Sequence, residues 1–380
     1  MTFDFDTPID RRGTDSAKWD RYRGRDVLPM WLADMDFRSP PAVIEALRGR
    51  VAHGVFGYAE PPQELYETIP ATLQRDYAWA VEPEWLVWLP GVMVGVNLAC
   101  SITGQDGDDV LTAVPIYPPF LSAPQGSRRN LVAVPMMQRG GRWQFDFDRL
   151  EAAITPRARV LLLCNPHNPI GRVFARDELA PLADICLRHD LIISSDEIHC
   201  GLVLDAALRH VPLAALAPEV AARTLTFMAP SKTFNLPSLC CAFAVVPDRE
   251  LRRRLIKAVE AVGAEFSALG FTAALAAYRD GEPWRQALLD YLRGNRDLVE
   301  HEVGSIKGLS MSHVEATYLA WIDARPLGRD EPGKFFEAAG VGLLDGKFFG
   351  TPGFVRLNFA CPRSLLREGL ARLRRAAESL

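Results

Sequence analysis

From residue 86 onward, short apolar runs alternate with stretches of helical periodicity. The runs at 110–114, 132–134, 160–163, 191–194, 224–228 and 242–246 read as buried strands. Amphipathic helices lie between several of them; within 177–189, Leu179, Leu182, Ala183 and Cys186 recur at helical spacing. Strands alternating with helices predict an α/β fold with a mostly parallel sheet covered on both faces. In such a sheet a ligand sits outside the carboxyl ends of the strands. Ahead of this region, residues 28–37 form an abrupt apolar segment ending in two aspartates, and a helix opens at Pro40-Pro41 with Val43, Ile44, Leu47 and Val51 on one face. Beyond residue 250 the pattern changes to helices at 250–262, 271–279 and 284–303, followed by strand candidates at 318–322 and 355–359. A large domain over 46–279 and a smaller αβ domain built from 1–45 and 280–380 follow from that change.

Bulk properties narrow the function classes. A chain of 380 residues exceeds one compact core. Its hydrophobic content of 48% and charged content of 24% are those of a globular protein. A net charge of −4 argues against a nucleic-acid surface, and the basic clusters 252–254 and 372–375 read as solvated helix faces. No apolar run reaches the roughly 18 residues needed to span a bilayer, and the first residues lack the layout of a signal peptide. Seven cysteines without framework spacing fit a reducing cytoplasm, with Cys240 and Cys241 read as small strand residues. The seven histidines show no metal-ligand spacing, so no metal site is expected.

The candidate chemistry lies at the predicted strand ends. Lys232 is one of six lysines against thirty-seven arginines, and no charged residue lies within five positions of it. Desolvation disfavours an ammonium, and a neutral amine attacks carbonyls as a Schiff-base lysine does; the alternative is a packed stem with its head in water. The loop Cys-Asn-Pro-His-Asn-Pro-Ile-Gly (164–171) presents amides at the sheet edge, or is only a strand-to-helix connection. Asp196, extending an apolar run, could hold a protonated pyridine nitrogen or cap a helix. The glycine turn at 89–99 opens an apolar helix whose first amides could bind phosphate, although it matches no nucleotide fingerprint. Tyr117 could stack on a flat ring or sit in the core. An amide, a carboxylate, a lysine, an aromatic ring and an amide-rich helix start, each after successive strands, together describe a site for pyridoxal phosphate.

The chain resembles the fold-type I pyridoxal-phosphate enzymes of the class I/II aminotransferase superfamily, and within them the MalY/PatB-type cystathionine β-lyases. The resemblance covers almost the whole chain and rests on MWLADMDF (30–37), NPHNPIGRVF (165–174), SDEIHCGLVL (195–204), SKTFN (231–235), AAYRDGEPW within 276–297, and FVRLNFACP (354–362). It implies that Lys232 forms the Schiff base and moves the Cα proton, that Asp196 pairs with the pyridinium nitrogen, and that Tyr117 stacks on the ring. It places Asn168 and His199 beside the cofactor, the amides of Val92 and Met93 with Ser231 at the phosphate, and Arg356 on the substrate α-carboxylate, with Asn168 and Ala33 also facing the substrate. Tyr58 would reach the phosphate of the neighbouring subunit of a homodimer. His199 stands where many aminotransferases have tyrosine, and Cys240 where they often have a phosphate-binding arginine. The expected reaction is α,β-elimination from L-cystathionine or a related cysteine S-conjugate. The competing expectations are an aminotransferase, which uses the same residues, and a regulatory or binding protein on the same fold.

Overall fold

The computed structural model describes residues 3–380. Its centre is a seven-stranded sheet ordered Leu86–Leu89, Ala242–Val245, Thr224–Met228, Ile192–Asp196, Ala158–Cys164, Asp109–Val114 and Asn130–Pro135. Only Ala242–Val245 runs against its neighbours. Most of these strands are buried along their length, so both faces need apolar cover. On one face the helix Val92–Ile102 and the helix Arg249–Ala261 bury Val96, Ala99, Leu251 and Leu255. Leu179, Leu182 and Cys186 of the helix Arg176–Arg188 pack with Leu161 and Ile193 in another core cluster.

A four-stranded antiparallel sheet follows, ordered Ser310–Met311, Leu319–Asp323, Phe354–Asn358 and Leu344–Asp345, backed by the helices Glu282–Gly304 and Arg363–Glu378. The N-terminal segment lies beside this sheet: Leu28–Pro29 and Val341–Gly342 form a separate two-stranded parallel sheet, and the Asn358 amide of the four-stranded sheet donates to the Met30 carbonyl at 2.9 Å. The two sheets are sewn together along residues 314–317. Ala316 donates to the Gly171 carbonyl at 2.8 Å and Thr317 to the Leu202 carbonyl at 2.8 Å. Buried Arg172 bridges Glu315 at 3.0 Å and Glu178 at 2.8 Å, across the same seam.

Two local expectations are corrected. The strand after the lysine loop begins at Ala242, so Cys240 and Cys241 are not strand residues; Cys240 is exposed with a left-handed backbone (φ 46°), closing the short helix Pro237–Leu239. In the helix Pro41–His53 only Val43 is fully buried, and Val51 is 54% exposed because the helix packs on one turn-wide stripe.

Candidate active site

The carboxyl ends of the parallel strands gather the predicted residues. Strand Thr224–Met228 runs into a tight turn, with Phe234 donating to the Pro230 carbonyl and Leu236 to the Ser231 carbonyl, both at 2.9 Å. That turn holds Ser231 and Lys232, both partly buried. The Lys232 amine donates to the Ala33 carbonyl at 2.7 Å, and the Tyr318 hydroxyl donates to the same oxygen at 3.0 Å. Burial first, then the Arg356 charge, pulls the amine down to about 8, with Asp34 and Asp196 opposing. The shift has the direction that the apolar stretch implied: the amine gives up its proton more readily than an ordinary lysine.

Asp196 ends strand Ile192–Asp196 and is 4% exposed. Its Oδ1 accepts the Ile198 amide at 3.0 Å within a turn, and no helix follows, so it is not a helix cap. No ion pair compensates it among the described residues, and burial pushes it up to about 7. Its neighbour Glu197 has a structural explanation. It is fully buried but accepts from Ser195 Oγ and the Leu213 amide, and meets His210 Nε2 at 2.7 Å. His199 is buried, its Nδ1 finds no partner among the described residues, and burial with nearby Lys232 and Arg356 holds it well below the usual range, hence neutral.

Arg356 lies mid-strand in Phe354–Asn358, 1% exposed. Its Nη1 donates to Asn168 Oδ1 at 3.0 Å and its Nη2 to the Trp31 carbonyl at 2.8 Å, while Nε is unpartnered and no carboxylate pairs with it among the described residues. Burial pulls it down to about 10. A planar fork without an acid, in an apolar strand, suits a bidentate carboxylate. The loop bearing Asn168 is joined to the Tyr117 loop by His167, whose Nε2 lies 2.8 Å from the Pro115 carbonyl. Tyr117 immediately precedes the helix Pro118–Gly126; burial raises its hydroxyl, which also senses Arg356 and Asp196. Val92 and Met93 begin the helix Val92–Ile102, where extended Gly91 supplies no side-chain cap, leaving the first amides free for an anion. Val92 shares a core cluster with Phe227 and Ala229 of the lysine strand, with Met93 and Tyr117 against it.

Lys232, Ala33, Asp196, His199, Asn168, Arg356 and Tyr117 are thus joined by hydrogen bonds or by the charges they feel. Ser231 precedes Lys232 in the same turn, and the helix start lies across a core cluster shared with Tyr117. Tyr58 does not join them: it is 97% exposed, in a stretch without helix or strand beside residues 265–269. Sequence reasoning missed Trp31, Tyr318 and Asn235. Asn235 Oδ1 accepts the Met35 amide while its Nδ2 donates to the Met35 and Phe37 carbonyls, fastening residues 31–37 to the lysine turn. Both partners fall in motifs that carry the resemblance, MWLADMDF and SKTFN, but these stand far apart in the sequence and only the fold brings them together. An orphaned carboxylate, an amine that burial makes easier to deprotonate, an unpartnered imidazole nitrogen and an uncapped helix start fit a flat cationic heterocycle carrying a carbonyl and an anionic arm.

The aminotransferase class I and II family model matches residues 26–373. The chain is 35% identical to cystathionine beta-lyase PatB of Bacillus subtilis (strain 168), over 98% of this chain and 99% of that protein. The solved structure of OvoB is 44% identical, covers all of both chains and superposes with a TM-score of 0.97. Cystalysin from Treponema denticola, whose structure contains a pyridoxal 5'-phosphate cofactor, is 31% identical with full coverage of both chains and a TM-score of 0.96.

Proposed function

The chain belongs to the aminotransferase class I and II family, and from that premise we propose that it is a pyridoxal-phosphate-dependent carbon–sulfur β-lyase acting on L-cystathionine or a related cysteine S-conjugate. The observation that carries the site assignment is a pair of buried charges without countercharges, Asp196 and Arg356, both felt by the Lys232 amine. A protonated ring nitrogen and a substrate α-carboxylate are the ions they lack. Isolated buried charges are costly, so their retention is a mark of function.

The cofactor, when bound, supplies an electron sink for charge developing at the substrate Cα. Lys232 anchors it and takes the Cα proton. Asp196 keeps the ring nitrogen protonated, Tyr117 stacks on the ring, and Asn168 with neutral His199 flanks its phenolic oxygen. The Val92 and Met93 amides and the Ser231 hydroxyl hold the phosphate. Arg356 grips the α-carboxylate, with Asn168 orienting the guanidinium and Ala33 at the substrate's edge. Breaking Cα–H provides the electron pair that expels thiolate from Cβ; water then completes the products, thiol, pyruvate and ammonia.

The working unit in this reading is a homodimer in the cytoplasm, with Tyr58 of the partner subunit at the phosphate. Its support is an exposed apolar stretch, Val51, Val55, Phe56 and Tyr58, and seven free cysteines. No helix among the described residues is long and apolar enough to cross a membrane. Incubation with L-cystathionine and a keto-acid acceptor tests the reaction. Thiol, pyruvate and ammonia should appear in equal amounts without the acceptor; amino transfer to the acceptor without thiol release would make it an aminotransferase.

A further inference from the structure

The segment carrying Ala33 also carries a charge cluster that the reaction as described does not use. Asp34, one residue on, is gripped by Arg11, whose Nη2 meets Oδ2 at 2.7 Å and whose Nη1 donates to Oδ1 at 3.2 Å. The same Nη1 reaches Asp36 Oδ1 at 2.6 Å and the Met35 carbonyl at 3.2 Å. Fully buried Lys18 lies 2.7 Å from Asp36 Oδ2 and 3.5 Å from Asp34 Oδ1, and Trp19 Nε1 donates to Asp36 at 2.8 Å. Two cations and two carboxylates therefore balance one another directly behind the carbonyl that receives the Lys232 amine. Asp34 nonetheless attracts the Lys232 charge, and the groups that share that field are Arg356, Asp196, His199 and Tyr318.

We propose that Arg11 is a positioning residue for Lys232: by engaging both oxygens of Asp34 it keeps that carboxylate turned to the N-terminal segment, so the amine's partner is the neutral Ala33 carbonyl. A free carboxylate beside the amine would favour its ammonium form, which neither condenses with a carbonyl nor accepts a proton. Arg11 suits the task because its fork holds two oxygens at once, where an ammonium is a point charge. The proposal rests on Lys232 being the carbonyl-condensing amine. It assigns a chemical purpose to an ion cluster that otherwise only fastens the N-terminal segment.

The test compares wild type, Arg11→Met, Asp34→Asn and the double variant as full-length protein. The pH midpoint of the visible cofactor band is recorded, and the pH dependence of Lys232 reductive methylation by formaldehyde and borohydride is mapped by peptide mass after the cofactor is dialysed away. Arg11→Met should move both midpoints up by about one pH unit, Asp34→Asn should move them down, and the double variant should follow Asp34→Asn. Coincident Arg11→Met and wild-type midpoints, or a double variant that keeps the upward shift, would overturn the proposal. If Arg11→Met does not fold, the Asp34→Asn arm decides: no downward shift refutes the coupling. A protein without a visible band, yet with shifting methylation midpoints, would sink the proposed function and leave this inference standing.

Discussion

Arg356 and Asp196 are opposite answers to one problem, a buried ion waiting for its partner. Replacing Arg356 by lysine keeps the charge but loses the fork on the α-carboxylate. A charge-assisted hydrogen bond is worth about 1.5–3 kcal/mol, so KM for amino-acid substrates should rise about ten- to a hundredfold; steady-state kinetics against amines lacking the carboxylate, which should be nearly indifferent, isolates the effect. Asp196→Asn should separate function from stability. Burial raises the folded-state value of this carboxyl to about 7, above its unfolded range, so the stability it contributes is present at low pH and lost as pH rises through 7. Cofactor-free Asp196→Asn should therefore melt no lower than wild type above pH 7, by a margin of the order of a few kcal/mol in its favour, while retaining cofactor poorly. A variant less stable at high pH and normal in cofactor retention would make Asp196 a structural residue. Lys232, Asp196 and Arg356 were legible in the sequence because each interrupts an apolar run, which is costly without a purpose. Trp31 acts through its backbone carbonyl, and no residue type advertises a carbonyl; Ala33, which does the same, was legible only through the resemblance. Arg11 and Lys18 carry no signal in the sequence because only the fold brings them onto Asp34 and Asp36.

Elements fixed by burial alone were the easiest to anticipate. Thr224–Met228 appears at its expected bounds, and the other strands anticipated within the central sheet lie within two residues of theirs, since short apolar runs of strand length, alternating with longer helical stretches, suit buried strands. The helix Gln63–Tyr77 was not anticipated: Pro70 stands in its middle and only one side, Leu65, Ile69 and Leu73, is apolar and buried. The seam at 314–317 was invisible for a different reason, since its register depends on a glycine far away in sequence. Gly171 has φ +69°, and a Cβ there would sit 2.8 Å from the Val314 side chain and 3.4 Å from the Ala316 and Leu319 carbonyls. Gly171→Ala should therefore cost at least about 1–2 kcal/mol for the left-handed backbone alone. The expected readout is a lower melting temperature together with weakened substrate binding, because Asn168 lies three residues away. A variant with wild-type melting would mean that the seam bears no strain.

At the scale of the whole molecule, the change in periodicity proposes a division into 46–279 against 1–45 with 280–380, and within the second part Leu28–Pro29 pairs with Val341–Gly342. His313 ties that part to the loop after strand Ile192–Asp196: its Nε2 lies 3.0 Å from Asp205 and its Nδ1 2.9 Å from Glu300. Burial opposes the charge, but the two carboxylates outweigh it and raise the imidazole. Its contribution to stability is thus complete below the unfolded value of about 6.5 and disappears as pH climbs past the folded one. His313→Gln should melt below wild type at pH 5.5 and converge with it at alkaline pH; parallel curves would dismiss the charge. The arrangement of two chains is the remaining level. Tyr58 lies outside its own chain's site; in the proposed dimer, with Cys240 exposed where the resemblance places an arginine in many aminotransferases, a Tyr58 contact from the partner would carry more of the phosphate anchoring. Tyr58→Phe removes one hydrogen bond to a charged group, about 1.5–3 kcal/mol, and should weaken cofactor affinity by about one to two orders of magnitude. Hybrid dimers of Tyr58→Phe and Lys232→Ala protomers then distinguish sharing from self-sufficiency. If the tyrosine serves across the interface, both lesions fall in one site, and the other keeps wild-type affinity and half the dimer's activity. If it serves its own chain, each site carries one lesion and no wild-type-affinity site survives. An active monomer, or hybrids without a wild-type-affinity site, would refute the shared arrangement.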